Sequence, residues 1–172
     1  MLSQTARQEI LRKINARVGY QVREEVLSPA TRQAITNLAI VQRHLFVITE
    51  ILRGEKSRIE GSTILSFASK MGKDSGKSER AVLSLEINRL QFDVDGKVSS
   101  LCDQIVAEDI ARQSGISPPH YGGKLELMQL KCPGCGASLP IPTSKFFQCA
   151  YCKSTFGLQT VTSQISSMIQ SI

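Results

Sequence analysis

The sequence predicts a mainly α-helical protein that continues into a small metal-stabilised β module and a short C-terminal helix. Apolar residues recur at helical spacing over much of residues 1–115, and Trp is absent, so we expect an aliphatic core. This composition suits a helical bundle or helical hairpin. Near the C-terminus, two Cys-x-x-Cys pairs follow one another with 13 residues between them. Such paired thiols are typical of a small module held together by a metal ion.

The first predicted helix covers residues 3–26. One face carries apolar residues four positions apart, and Ser3 can cap the start. Gly19 is expected only to weaken the middle of this helix. The opposite face is basic, which is consistent with a solvated surface or with contacts to a polyanion. Its candidate polyanion contacts are Arg7, Arg12, Lys13 and Arg17.

The second predicted helix covers residues 29–53 and is the expected spine of the helical domain. Ser28 followed by Pro29 is a helix start signal, and Gly54 stands where a helix often ends. A weaker helix is predicted over residues 55–71. The polar, Gly-rich stretch 72–80 is predicted to be an exposed loop. Within it, Gly76-Lys77-Ser78 lacks the upstream glycine of a phosphate-binding loop, so nucleotide binding is not predicted.

Residues 82–98 fit either a helix or a hairpin that turns at Asp95-Gly96. Helix is favoured because the helical period continues through residues 100–113. The helix is then expected to end at Gly115, with Ile116 folding back as a hydrophobic C-cap contact. Residues 116–123, rich in Pro and Gly, are predicted to link the helical domain, 1–115, to the module at 124–158.

Four cysteines form the strongest chemical signal: Cys132, Cys135, Cys149 and Cys152. Two tight turns at this spacing can present four thiolates to one tetrahedral Zn²⁺, and Pro133, Gly134 and Gly136 favour such turns. An iron site uses similar thiolates and stays open as an alternative, whereas a thioredoxin-like redox pair would need a single pair at a helix start.

Residues 125–158 resemble the zinc-ribbon family, in which two knuckles lie at the ends of short β-hairpins. Before the first knuckle, Leu125 and Leu127 alternate with polar residues, which predicts a half-buried strand over residues 124–131. Four thiolates would leave no position for water on a bound Zn²⁺, so one structural ion is expected. The resemblance indicates a metal-stabilised fold and does not identify a partner. It rests on Cys132, Cys135, Gly136, Leu139, Cys149, Tyr151, Cys152 and Phe156. After this module, residues 159–172 predict an uncharged amphipathic helix that docks on its own protein or on a partner.

The net charge of +6 and the pI near 9.2 permit a polyanion partner without requiring one. The segment 81–123 is acidic, whereas the segments on either side are basic. Around the module, four lysines add candidate polyanion contacts: Lys124, Lys131, Lys145 and Lys153.

The sequence contains no recognisable catalytic set, so we do not expect an enzyme. The first functional hypothesis is a zinc-binding accessory protein that docks on a nucleic-acid or ribonucleoprotein machine in transcription or translation. The alternative is a protein–protein adaptor or self-assembling helical scaffold, with a homo-oligomer as one form. Four cysteines at metal spacing favour the reducing cytoplasm. No uninterrupted apolar run of membrane-spanning length is present, so no membrane span is expected.

Overall fold

The computed structural model describes residues 2–61, 73–116 and 127–172, and this part of the chain is mainly helical, as predicted. Its β structure is one antiparallel hairpin, in which Phe147 pairs with Phe156. The elements in chain order are α1 (Leu2–Val18), a 3₁₀ turn (Glu24–Val26), α2 (Pro29–Gly61), α3 (Lys73–Gln113), β1 (Phe146–Gln148), β2 (Thr155–Gly157) and α4 (Leu158–Ser171).

Helix α1 ends at Val18, so the prediction that it continues to residue 26 is wrong. Gly19 has φ +82° and donates its N–H to the Asn15 carbonyl oxygen at 3.0 Å, which makes it the left-handed residue that closes the helix. The Asn15 side chain then accepts the Val22 N–H at 2.9 Å and holds the chain that leaves the helix. Gly19 therefore ends α1 where we expected it only to weaken it.

Helix α2 begins at Pro29, as predicted, but it continues through Gly54 to Gly61. A glycine inside a helix costs only about 1 kcal/mol relative to alanine, so helix-favouring neighbours can carry the helix across it. The remainder of the weaker predicted helix, residues 62–71, lies outside the described residues.

Helix α3 begins at Lys73, so the loop predicted over residues 72–80 is helical from that residue onward. Long-range contacts hold this first part of the helix. The Arg80 guanidinium donates to the Leu52 carbonyl oxygen at 2.9 Å, and Lys145 pairs with Glu79 at 3.0 Å. Neither contact is visible in the local sequence, which is polar and rich in glycine.

The ambiguous residues 82–98 are helical, and α3 continues through Asp95-Gly96 without a break. Its end is a Schellman motif: Ile116 donates its N–H to the Ala111 carbonyl oxygen at 2.9 Å, and Gly115 donates to that of Arg112 at 3.2 Å. Gly115 has φ +67°, as this cap requires. The predicted cap is therefore confirmed in the backbone, but the Ile116 side chain is exposed. Of the predicted linker, residues 117–123 lie outside the described residues.

The chain divides into two compact units, each built from segments that are distant in sequence. The first unit contains Met1–Arg43, Phe92–Met128 and Met168–Ile172, and the second contains His44–Gln91 and Gln129–Ser167. The core of the first unit is aliphatic, with Ile10, Ile14, Ile35, Leu38, Val41, Val94, Leu101 and Ile105 buried. In the second unit the buried apolar residues include Leu45, Ile48, Leu52, Leu83, Ile87, Leu90, Leu130, Leu158, Val161 and Ile165.

The first unit also buries a carboxylate, that of Glu108. Ser28 donates to it from its backbone N–H at 3.1 Å and from its hydroxyl at 2.8 Å, and the Thr31 hydroxyl donates at 2.5 Å. Burial disfavours the charged form, but these hydrogen bonds outweigh burial and lower the pKa of Glu108. The carboxylate thereby binds the first turn of α2, where a helix leaves N–H groups without partners.

One described helical stretch, Pro29–Gly54, is long and apolar enough to cross a membrane by length and composition. Half of its apolar window is buried inside the protein, and core helices of soluble proteins pass the same test. The stretch is therefore weak evidence for a membrane span. That the chain has no membrane span stays a prediction.

Candidate metal centre

The first knuckle is a tight turn around Cys132. The N–H of Cys132 donates to the Ala137 carbonyl oxygen, and the Gly136 N–H donates back to the Cys132 carbonyl oxygen, both at 2.8 Å. Gly136 has φ +73°, which favours glycine at this position. The turn reverses the chain so that both cysteines of the pair face the same point.

The half-buried strand predicted before this knuckle is not found among its described residues. Lys131 forms an isolated bridge with Ser138, and the Leu139 N–H donates to the Leu130 carbonyl oxygen at 2.8 Å. Leu127 is exposed, and Lys124 and Leu125 lie outside the described residues. Instead, the Gln164 side chain binds the backbone N–H and C=O of Lys131, at 2.8 and 2.6 Å. This side chain satisfies the backbone groups that a paired strand would have satisfied.

The second knuckle repeats the backbone pattern of the first. The N–H of Cys149 donates to the Ser154 carbonyl oxygen at 2.9 Å, and the Lys153 N–H donates to the Cys149 carbonyl oxygen at 3.1 Å. Lys153 has φ +62° and occupies the place that Gly136 has in the first knuckle. Strands β1 and β2 flank this turn, so the second knuckle lies at the tip of a hairpin.

The four cysteine sulfurs form one cluster. The Sγ atoms of Cys132, Cys135, Cys149 and Cys152 all lie within 4.8 Å of one another. Between the knuckles, Cys132 Sγ lies 3.4 Å from Cys152 Sγ, and Cys135 Sγ lies 3.8 Å from Cys149 Sγ. Four sulfurs at about 2.3 Å from a tetrahedral Zn²⁺ would be separated by about 3.8 Å. The arrangement therefore matches one tetrahedral metal site, and the cysteines are not paired as disulfides.

Hydrogen bonds from the knuckles favour thiolates. The Ser154 hydroxyl and backbone N–H lower the pKa of Cys152 to about 6, and the backbone N–H groups of Cys152 and Tyr151 lower the pKa of Cys149. At Cys135 the backbone N–H of Ala137 acts in the same direction, but its sulfur neighbours and burial outweigh it and raise the pKa to about 12.

These opposing shifts follow from placing four sulfurs together, because negative charge on one sulfur disfavours negative charge on the next. A bound cation would offset the repulsion among the negative charges and allow all four thiols to ionise. The residues therefore fit a metal ion. Four thiolates at this separation suit Zn²⁺, and they leave no coordination position for water.

Most of the predicted polyanion contacts on α1 are engaged inside the first unit. Arg7 binds Glu24 and donates to the Thr36 hydroxyl, and Lys13 pairs with Asp95 at 2.7 Å. Exposed Arg12 pairs with Glu9 at 2.8 Å within its own helix, and Arg17 is exposed.

The lysines around the knuckles are similarly divided. Lys145 pairs with Glu79 and lies 5.7 Å from the centre of the Phe146 ring. Lys131 and Lys153 are exposed, although the Lys153 ammonium donates to the Ala150 carbonyl oxygen at 2.8 Å. Lys124 lies outside the described residues. Four of the predicted contacts that the structure describes are therefore in ion pairs: Arg7, Arg12, Lys13 and Lys145.

Two contributors to the site were missed by the sequence analysis. Ser154 follows Cys152 by two residues, a spacing that could have indicated it, and its hydroxyl oxygen lies 3.3 Å from the Cys152 Sγ. Gln164 belongs to α4, and nothing in the sequence connects it with Lys131.

No family model, curated protein or solved structure matches this chain at a significant level.

Proposed function

We propose that this protein is a non-enzymatic, zinc-binding adaptor whose metal-held knuckles dock on a partner protein. The observation that carries the proposal is the position of Tyr151. It lies between Cys149 and Cys152 at the tip of the second knuckle, and it is 77% exposed. Tyrosine is enriched at interface hot spots, and a rigid turn presents it at a small entropy cost.

The surroundings of Tyr151 support the same function. Phe146 on β1 is also exposed, and its ring packs on Gly157 of β2, so a second aromatic surface belongs to the same hairpin. Exposed aromatic side chains bury little area in their own module and so add little to its stability. They do supply apolar contact area for a partner protein.

We assign the module to the zinc-ribbon type, as the sequence resemblance implies. The matching backbone bonds of the two knuckles and the single four-sulfur cluster support that assignment. We further propose that the ion is Zn²⁺ with a structural role, because four thiolates leave no position for a reacting water. Reduced thiols are required to bind it, which supports a reducing compartment such as the cytoplasm.

A nucleic-acid or ribonucleoprotein partner is the second candidate. Exposed Lys131 and Lys153 beside the knuckles favour it, together with exposed Arg17 on α1. The engagement of Arg7, Lys13 and Lys145 in ion pairs weakens it. Those cations would have to give up a partner before they neutralise a phosphate.

The proposal is tested by capture from nuclease-treated lysate, with the partner identified by mass spectrometry. We expect the wild-type chain to retain a protein partner after nuclease treatment. Tyr151→Ala should reduce its recovery at least about tenfold, as loss of an aromatic hot spot does. Zinc content, measured by elemental analysis, should stay the same.

Phe92→Ala is the matched control, since Phe92 is an exposed aromatic residue on α3 with 78% exposure. It should leave capture unchanged. Capture that survives Tyr151→Ala would contradict the adaptor function at the knuckles. Capture that disappears with nuclease would favour the second candidate, and a steep loss of RNA or DNA binding with rising salt would then support it.

A further inference from the structure

The first unit contains a groove of about 480 Å³ that is unrelated to the cysteine cluster. One wall is the segment after α1, residues 20–27, and the other is formed by the last turns of α3. Val22 and Leu27 are buried along it. A volume of this size falls within the usual range for binding clefts, about 300 to 1,000 Å³.

Four large apolar side chains line this groove and are nevertheless exposed: Tyr20, Val26, Val106 and Ile110. Ile110 is 59% exposed. Scattered exposed apolar residues are normal in soluble proteins, whereas several around one concavity mark an interaction site. The residues come from two separate segments, so their clustering is a product of the fold.

The groove is preformed by hydrogen bonds that join its two walls. The Tyr20 hydroxyl donates to the Asp109 carboxylate, and the Arg112 guanidinium donates to the Val26 carbonyl oxygen at 2.9 Å. Arg112 also pairs with Asp109 at 2.6 Å. The groove is therefore formed before a partner binds, which lowers the entropy cost of binding.

The charges along the groove point to one kind of partner. Its acid, Asp109, is already neutralised by Arg112 and hydrogen-bonded by Tyr20. The remaining charged lining residue is Arg23, which is exposed and has no ion-pair partner among the residues that the structure describes. A groove that combines exposed apolar side chains with one guanidinium lacking an ion-pair partner is complementary to apolar side chains next to a carboxylate.

We propose that this groove binds an apolar peptide segment of a partner protein that carries an acidic residue opposite Arg23. The inference rests on the proposed adaptor function, because an adaptor needs a second binding surface besides its knuckles. The apolar side chains of the peptide lie against Val106 and Ile110, and its carboxylate accepts from Arg23.

The test is selection of a displayed library of random 12-residue peptides on the full-length, zinc-loaded chain. The enriched peptides should combine two or more apolar residues with an acidic one. The affinity of the leading peptide is then measured by fluorescence anisotropy. We expect at least about a tenfold weaker binding to Ile110→Ser and to Arg23→Glu. Replacing the acidic residue of the peptide with Lys should restore binding to Arg23→Glu.

Leu85→Ser serves as the matched control, because Leu85 lies on the same helix outside the groove and is 69% exposed. It should bind the peptide like the wild-type chain. The proposal is overturned if no peptide is enriched, if the enriched peptides lack an acidic residue, or if Ile110→Ser binds them unchanged. Circular dichroism of each variant excludes unfolding as the cause of lost binding.

The two proposals fail in different ways. If the groove binds no peptide but Tyr151→Ala still abolishes partner capture, the groove is not a binding site and the adaptor function stands. If the peptide binds the groove but capture depends on nucleic acid, the adaptor function falls and the groove stands.

Discussion

The first unit and the two knuckles use different physical means to hold their structure. The first unit buries aliphatic side chains such as Ile14 and Leu38 between long helices. Strands β1 and β2, which flank the second knuckle, have three residues each, and the four sulfurs of the two knuckles form one cluster. Burial of apolar area is spread over many residues, whereas a metal centre concentrates its stabilisation in four ligands. We therefore expect core mutations in the first unit to lower the free energy of unfolding, and mutations of the cysteines to reduce zinc binding.

The largest expected effect is loss of the metal in Cys149→Ser. Three thiolates and a hydroxyl hold Zn²⁺ poorly, so bound zinc should fall from about one ion per chain to roughly a tenth or less. In NMR spectra, the amide signals of Ala137 and Ser154 should broaden, while most of the helical circular dichroism is retained. Cys102→Ser is the control: Cys102 is buried in the first unit outside the cluster, so the zinc content should not change. Equal zinc loss in both variants would remove the contrast between the regions.

The reverse case is Leu38→Ala in the core of the first unit, where Leu38 is fully buried. Removing this side chain leaves a cavity and should lower the free energy of unfolding by about 2–5 kcal/mol. Urea denaturation followed by circular dichroism measures the change, and the folded variant should still bind zinc. Ile110→Ala, at an exposed position of α3, should stay within about 0.5 kcal/mol of the wild type. Zinc loss in folded Leu38→Ala would show that the two regions are more strongly coupled than we infer.

An intermediate effect is expected for Glu108→Gln, which removes the charge from the buried hydrogen-bond network at the start of α2. Its amide cannot accept from Ser28 and Thr31 as the carboxylate does, so stability should fall by about 1–3 kcal/mol. Because the folded pKa is lowered, the carboxylate contributes fully above its unfolded pKa of about 4.3, and the contribution is lost as pH falls through the folded pKa.

The difference between wild type and Glu108→Gln in chemical denaturation should therefore be constant near neutral pH and shrink below about pH 4. Glu86→Gln, which removes a surface pair with Arg89, should have little effect at any pH. A difference that grows toward acid would contradict the assigned direction of the pKa shift.

The smallest expected effects compare the two knuckles with each other. Gly136→Ala forces a side chain into a left-handed conformation and should destabilise the zinc-bound protein by about 1 kcal/mol, although space for a Cβ is open. Lys153→Gly should relieve the same strain in the second knuckle and stabilise by about 0.5 kcal/mol. Thermal denaturation in excess zinc measures both. Gly96→Ala, inside α3, is the control and should stabilise, because alanine favours a helix. If Gly136→Ala and Gly96→Ala changed the thermal stability in the same direction, the left-handed conformation of Gly136 would not explain its effect.

Features fixed by neighbouring residues were predicted well from the sequence. The cysteine cluster was predicted because two turns at the right spacing are enough to bring Cys132 and Cys149 together. The start of α2 at Pro29 and the backbone cap at Gly115 also depend on residues within one or two turns. The predicted domain boundaries and the partner remain predictions.

Features fixed by distant contacts were missed. Residues 73–80 look like a loop in isolation, yet Arg80 and Glu79 bind groups far away in the chain. Pairing of Lys13 with Asp95, 82 positions away, removes a cation that composition alone would leave free for a polyanion. The groove beside Ile110 likewise requires that residues 20–27 and the end of α3 meet, which no local pattern indicates.

Each knuckle is closed by its own pair of backbone hydrogen bonds, so neither turn depends on the length of the stretch between them. Thr143 and Ser144, in that stretch, are exposed. Doubling the length of a flexible loop adds only about 0.6 kcal/mol of closure entropy. The stretch is thus a natural place for insertions, where a related chain or an engineer can add a tag or a recognition sequence without disturbing the coordination sphere.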